Sequence, residues 1–131
     1  MTNRSARFWS AVIAEDRNRI VGNGDPTYHP ELTLAQLAAR ELAPEERAVA
    51  TVYTSGEHCP MCSAAHAWVG LGRIVFASSS TQLTAWLAEF AAPPAPVVAL
   101  PITTVAPGIP VDGPAPELAG RIRELHARSR R

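Results

Sequence analysis

Between residues 30 and 90 the hydrophobic pattern switches repeatedly between the period of a helix and that of a strand. That alternation restricts the chain to a mostly parallel sheet covered by helices. Leu34, Leu37, Ala38 and Leu42 recur at helical spacing, predicting a helix from about Pro30 to Leu42 with Thr27 as its cap and Pro30 in its first turn. Pro44 ends that segment, and Ala48 to Thr54 (AVATVYT) reads as a buried strand. A second helix is expected from about Cys59 to Val69, stopped by Gly70 and Gly72, then a strand over Arg73 to Ala77. Ser80 is the expected cap of a third helix, with Leu83, Trp86, Leu87 and Phe90 on one face.

The flanks are plainer. Phe8 to Ala14 (FWSAVIA) reads as a strand, followed by the polar turn Glu15-Asp16-Arg17-Asn18 and a loop marked by Gly22, Gly24, Asp25 and Pro26. Eight prolines fall between Pro93 and Pro116, leaving one strand-like window at Val97 to Ile102. Proline removes a ladder donor, so this window is expected at a sheet edge. Residues from Pro116 to about Ser129 predict an amphipathic helix with Leu118, Ile122 and Leu125 inward. No repeat and no second domain is visible, so residues 1–131 are read as one α/β domain.

Composition narrows the function classes. Twelve acidic residues balance twelve basic ones, all Arg, so the chain has no net attraction for a polyanion and nucleic acid is disfavoured as a partner. No run approaches the ~18 apolar residues of a membrane span, and the start has no signal-peptide core. The expected location is the cytoplasm, where thiols stay reduced. The two cysteines, at Cys59-Pro60-Met61-Cys62, therefore call for a reading other than a structural crosslink.

A CxxC opening a helix places two sulfurs on one side, where unsatisfied amides and the helix dipole favour thiolate. By itself the pair reads as half a metal site, a redox dithiol or two buried thiols. His29 and Glu31 shift the balance, because they open the other predicted helix. A helix, a strand and a second helix in succession place both helix starts at the carboxyl ends of the strands. His29, Cys59 and Cys62 would then supply one nitrogen and two sulfurs, leaving a fourth tetrahedral position open, as in a catalytic zinc site. Singly, His29 reads as a loop histidine and Glu31 as a first-turn dipole partner. His58 and His66 flank the cysteines, but one helix start cannot surround a tetrahedral ion with neighbours at 58, 59, 62 and 66.

The pattern His29-x-Glu31 followed by Cys59-x-x-Cys62 resembles the zinc-dependent cytidine/deoxycytidylate deaminase-like family, whose signature is H-x-E…P-C-x-x-C. Asn18-Arg19 with Asp25-Pro26-Thr27-Tyr28-His29 is similar to the "NR…DPTxH" stretch of the bacterial guanine, cytosine and tRNA-adenosine deaminases. Cys59 to Ala65 (CPMCSAA) and Gly72 to Ala77 (GRIVFA) match two further stretches, so the resemblance covers roughly residues 11–90. It implies a three-layer α/β/α sandwich with a mixed, mostly parallel sheet. It also implies zinc on His29, Cys59 and Cys62, proton transfer by Glu31, and Asn18 holding the base. Glu57 corresponds to the family's acidic residue ahead of the cysteines and is expected to brace a loop. The plainer reading of Asn18, from the residues alone, is a turn residue before a loop.

Three departures stand out. The match sets Ser10 to Glu15 on the family's second strand and leaves no counterpart for its N-terminal helix and first strand. His58 replaces the usual Pro before the first cysteine, and Pro30 stands where Ala or Gly is usual. The resemblance implies that the backbone N–H between the His and the Glu faces the base, and Pro30 has none to offer. The leading expectation is a hydrolytic deaminase of a small nucleobase, nucleoside or amino-heterocycle (guanine-, cytosine- or aminotriazine-like) that releases ammonia. The alternatives are a tRNA adenosine deaminase and a non-enzymatic zinc-binding scaffold. Family habit implies a homodimer, with Trp68, Trp86 and the C-terminal helix as contacts.

Overall fold

The computed structural model describes residues 1–4 and 10–130. Of the strand read from Phe8 to Ala14, residues 8 and 9 lie outside the described residues; the rest contributes β2 (Ser10–Val12), which pairs antiparallel with β1 (Thr2–Arg4). Among the described residues no helix precedes β2. A one-turn helix, α1 (Ile20–Asn23), closes on Gly24 in the left-handed region, and α2 (Pro30–Glu41) follows. Proline at the first position of α2 loses no helical hydrogen bond, and Leu34, Ala35 and Ala38 form its buried face. His29 is its N-cap residue. Thr27, expected in that role, instead donates its hydroxyl to Asp25 at 2.7 Å, because Asp25 already folds the preceding turn.

The strand expected from Ala48 starts later. Pro44-Glu45-Glu46 initiates α3 (Pro44–Val49), with the Glu46 carboxylate accepting the Ala43 N–H at 3.0 Å. Proline at the first position and acidic residues in the first turn make a strong helix start, and it outcompetes the β-branched content behind it. The chain then forms β3 (Val52–Gly56), α4 (Pro60–Trp68), β4 (Ile74–Ser78) and α5 (Ser80–Glu89). Gly70, at φ +75°, ends α4. Gly72 lets the chain pass 2.6 Å from two backbone carbonyls at the position where a Cβ would sit, so no other residue fits there without a shift. Ser79, one residue before the expected Ser80, caps α5 by accepting the Gln82 N–H at 3.1 Å.

The Pro-rich stretch corrects another expectation. Val97 to Ile102 forms no strand; Pro101 removes a donor within it, and prolines 93, 94 and 96 remove those just ahead of it. Ile102 instead begins α6 (Ile102–Val105), and the edge strand is β5 (Val111–Asp112). A 3₁₀ turn at Pro116–Leu118 leads into α7 (Ala119–Arg128). Of the three residues expected inward on this last segment only Ile122 is buried; Leu118 and Leu125 are exposed.

The sheet runs β3-β4-β5, all parallel, with Val52 opposite Ile74 and Ile74 opposite Val111. The antiparallel hairpin is a separate two-stranded sheet, so the expected mixed sheet is instead a small all-parallel one within an α/β fold, in which α2 packs on α4 and α7 lies against β4. One core cluster joins Leu34, Ala35 and Ala38 to Ala50, Val52 and Leu71; a second joins Ile74 and Phe76 to Ile102 and Ala106. Removing a side chain as buried as Ile74 costs about 2–5 kcal/mol, so the central strand is fixed firmly under the helices it supports. Among the described residues no helix is long and apolar enough to cross a membrane.

Candidate metal centre and its cavity

Both long helices on this side start at the same place. His29 precedes α2 and Cys59 precedes α4, each in extended conformation, so their side chains turn toward one another across the packed helix starts. His29 Nδ1 lies 3.6 Å from Cys59 Sγ and 3.7 Å from Cys62 Sγ. All three candidate ligand atoms fall within 4.8 Å of one another, the only such group of His, Cys, Asp and Glu among the described residues. A zinc tetrahedron with Zn–S ~2.3 Å and Zn–N ~2.1 Å has N···S edges of about 3.6 Å, so the residues present fit that ion. His58 and His66 are not part of the group.

The electrostatics suit a cation. The Cys62 thiol donates to Cys59 and holds the Cys59 thiol down to about 5 against the opposing effect of burial, helped by the Cys62 N–H and by His29. Cys62, fully buried, is pushed upward by its bond to Cys59 and by burial. Glu31 sits one residue inside α2. Burial raises its carboxyl above the ordinary range, its own backbone N–H and the charge of His29 oppose that, and Cys59 and Asp16 add to it. Raising a carboxyl pKa moves it toward the range in which one side chain can both accept and return a proton.

Around these atoms opens a cavity of about 530 Å³, lined by His29, Pro30, Glu31 and Cys59 together with Asn18, Asp16 and Arg17 from the turn after β2. Of the expected metal, catalytic and substrate-binding residues, His29, Pro30, Glu31, Cys59 and Asn18 border this space, and Cys62 is buried. Asn18 also shows its turn-forming side, since its side-chain oxygen accepts the Ile20 N–H at 3.0 Å.

Sequence reasoning passed over Asp16 and His126. Asp16 bonds Arg19 at 2.9 Å and the Arg17 N–H at 2.8 Å through one oxygen, while its other oxygen is buried without a hydrogen-bond partner among the described residues. The available signal was its place in a polar turn directly after an apolar strand. His126 reaches the cavity from α7, where burial lowers its pKa, and its ring lies 6.2 Å from that of Trp86. Nothing in the spacing of the C-terminal helix marks it out.

Two neighbours support the centre from behind. Glu57 spans two helix starts: one oxygen accepts the Ser80 N–H at 2.6 Å and the other the Ile102 N–H at 3.1 Å. That geometry matches the loop-bracing part expected for it. His58 is buried, with neither ring nitrogen hydrogen-bonded among the described residues, and its edge meets the His66 ring at 5.3 Å. Burial, with a smaller contribution from His66, pushes its pKa down to about 3. His66 is itself buried and bonds the Gly72 carbonyl at 2.7 Å, whereas Trp68 is 89% exposed. Trp86, expected at a contact between copies, is instead packed inside this chain.

Comparison with known proteins agrees with this site. No family model matches the chain. Over 72 residues it is 35% identical to the guanine deaminase of Bacillus subtilis (strain 168), covering 55% of this chain and 46% of that protein. A stretch of the same length is 39% identical to a probable cytosine deaminase of Schizosaccharomyces pombe, covering 55% of this chain and 43% of that protein. The chain thus spans a little under half the length of these curated relatives.

Proposed function

We propose that this chain, a relative of the cytidine-deaminase-like family, is a hydrolytic deaminase of a small nucleobase, nucleoside or related amino-heterocycle, releasing ammonia. The observation that carries this reading is the triangle of His29, Cys59 and Cys62 with the Glu31 carboxyl beside it in one cavity. These three residues would hold zinc. Zinc bound there supplies the Lewis acidity that makes water a nucleophile near neutral pH.

Glu31 performs the proton traffic. Its raised pKa lets it take the proton of the attacking water, pass it to a ring nitrogen and return one to the departing amine. The balance is one water consumed, the bond from the ring carbon to its exocyclic amino nitrogen broken, an oxo group formed at that carbon and ammonia released. Asn18 and Asp16 border the space that the ring would fill, and Pro30 brings no N–H to it. An acidic acceptor and a missing donor on the same wall favour rings whose edge presents N–H groups over rings presenting an oxo group there. The enzyme would work on dissolved small molecules in the cytoplasm, consistent with the neutral charge of the chain.

The test is ammonia release by zinc-loaded protein from guanine, cytosine, isocytosine and an aminotriazine. Glu31→Gln preserves shape and removes the proton acceptor, so turnover is expected to fall at least ~10²-fold while zinc content holds. Release of no ammonia from any ring, or a Glu31→Gln variant within about threefold of the parent, would overturn the reading.

A further inference from the structure

A second cavity, of about 390 Å³, adjoins the one at the metal centre. Glu57, Cys59 and Leu83 line both, so the two spaces share a wall that includes a candidate ligand residue. Their walls differ in chemistry. The second is built from α5 and the Pro-rich segment after it, with Leu87, Ala88 and Val97 prominent among its apolar residues. Its polar members are largely occupied elsewhere: both Glu57 oxygens accept backbone N–H groups, and the Thr84 hydroxyl donates to the Ser80 carbonyl at 2.9 Å. A charged or strongly hydrated group would find little compensation there.

We propose that this second cavity receives an uncharged apolar substituent of the substrate, so that the preferred substrates are amino-heterocycles carrying an alkyl or aryl group. The inference rests on the deaminase reading of the neighbouring site and adds a substrate class to it. Occupation from the metal-centre side follows from the shared wall: a ring placed over Cys59 and Glu31 has the second cavity as its neighbour. The volume is ample for a butyl or phenyl group. The group is attached either to a ring carbon or to the exocyclic nitrogen. In the latter case water again breaks the ring carbon–nitrogen bond, and the alkylamine leaves in place of ammonia.

The experiment is calorimetric binding of 2-amino-1,3,5-triazines to the zinc-loaded protein, with hydrogen, methyl, butyl or phenyl as the substituent. One series carries it on a ring carbon and a second on the exocyclic nitrogen. Burial of each methylene is worth about a fourfold gain in affinity, so butyl is expected to bind at least ~30-fold tighter than hydrogen in one series. The series that responds identifies the point of attachment. Ala88 borders only the second cavity, and Ala88→Trp, which fills it from an exposed helix position, is expected to abolish the dependence on chain length. Affinities that are flat in both series, an absence of binding, or a chain-length gain that survives in Ala88→Trp would each overturn the proposal. Because binding is the readout, this outcome is separate from the ammonia assay, which judges the deaminase reading alone.

Discussion

His58→Leu is expected to change how stability depends on pH. The histidine is about 1% exposed, both ring nitrogens lack hydrogen-bond partners among the described residues, and its pKa is pushed from 6.5 down to about 3. The unfolded chain therefore takes up a proton on this ring at a higher pH than the folded one. With the folded pKa depressed, the full contribution to stability is present above the unfolded pKa near 6.5 and is lost as pH falls below it. At about pH 5 the unfolded form has gained roughly one and a half pH units of protonation free energy, or about 2 kcal/mol, that the folded form has not. The loss levels off only near the folded pKa of about 3. Leucine has a similar volume and no titrating group, so the variant is expected to match the parent at pH 7 or exceed it by about 1 kcal/mol. Unfolding free energies from urea titrations at several pH values between 7 and 5 give the comparison. Both proteins are titrated metal-free, so acid loss of metal does not enter the difference. Parallel stability curves for His58→Leu and parent would refute the reasoning.

Other expectations concern the centre and its surroundings. The parent is expected to carry about one zinc per chain by elemental analysis, and full occupancy in Cys59→Ala/Cys62→Ala would remove the assignment. Chelation is expected to lower the melting temperature of the parent and leave that double variant unmoved, since ligand binding to the folded state adds directly to its stability. Pro30→Ala restores a backbone donor at the start of α2, so kcat/KM for cytosine and guanine is expected to rise by about five- to 150-fold relative to the aminotriazine. A uniform change across the panel would contradict that. Trp68 is 89% exposed, and we expect it to be buried between two copies: the parent should sediment as a dimer at micromolar concentration and Trp68→Ala should shift it toward monomer. A monodisperse parent monomer would count against the dimer.

The centre was far more legible in the sequence than the edges of the fold. His29, Glu31, Cys59 and Cys62 are set by local rules, since each opens a helix whose hydrophobic spacing is regular and whose starting proline is explicit. Two helices that pack side by side bring such starts together whatever surrounds them. Elsewhere, competing local signals decided. Pro44-Glu45-Glu46 reads as a breaker when scanned for strands and as a helix start when scanned for caps, and the latter prevailed. Val97 to Ile102 has strand composition, but prolines on either side leave it too few donors to join a ladder. Asp16 and His126 reach the cavity through tertiary packing, from a turn after β2 and from a helix nearly at the C-terminus, and no sequence period connects them. Leu118 and Leu125 follow a helical stripe wider than the surface available to cover it, so only Ile122 is buried.

The bonds made by Glu57 bear on how a chain of this kind can diversify. One carboxylate pins the first residue of α5 and the first residue of α6, and its own backbone lies two residues before Cys59. Between those two anchors lie the rest of α5, held by the buried Trp86, and the Pro-rich segment that follows it. Insertions, deletions and changes of side chain can accumulate in that Pro-rich segment while the sulfurs keep their spacing. Substitution at Glu57 has the opposite character, because it releases both anchors and the cysteine loop together. Lineages of this fold are therefore expected to differ most in the span between the anchors and to hold Glu57 constant, so that new substrate preferences arise without the chemistry being rebuilt.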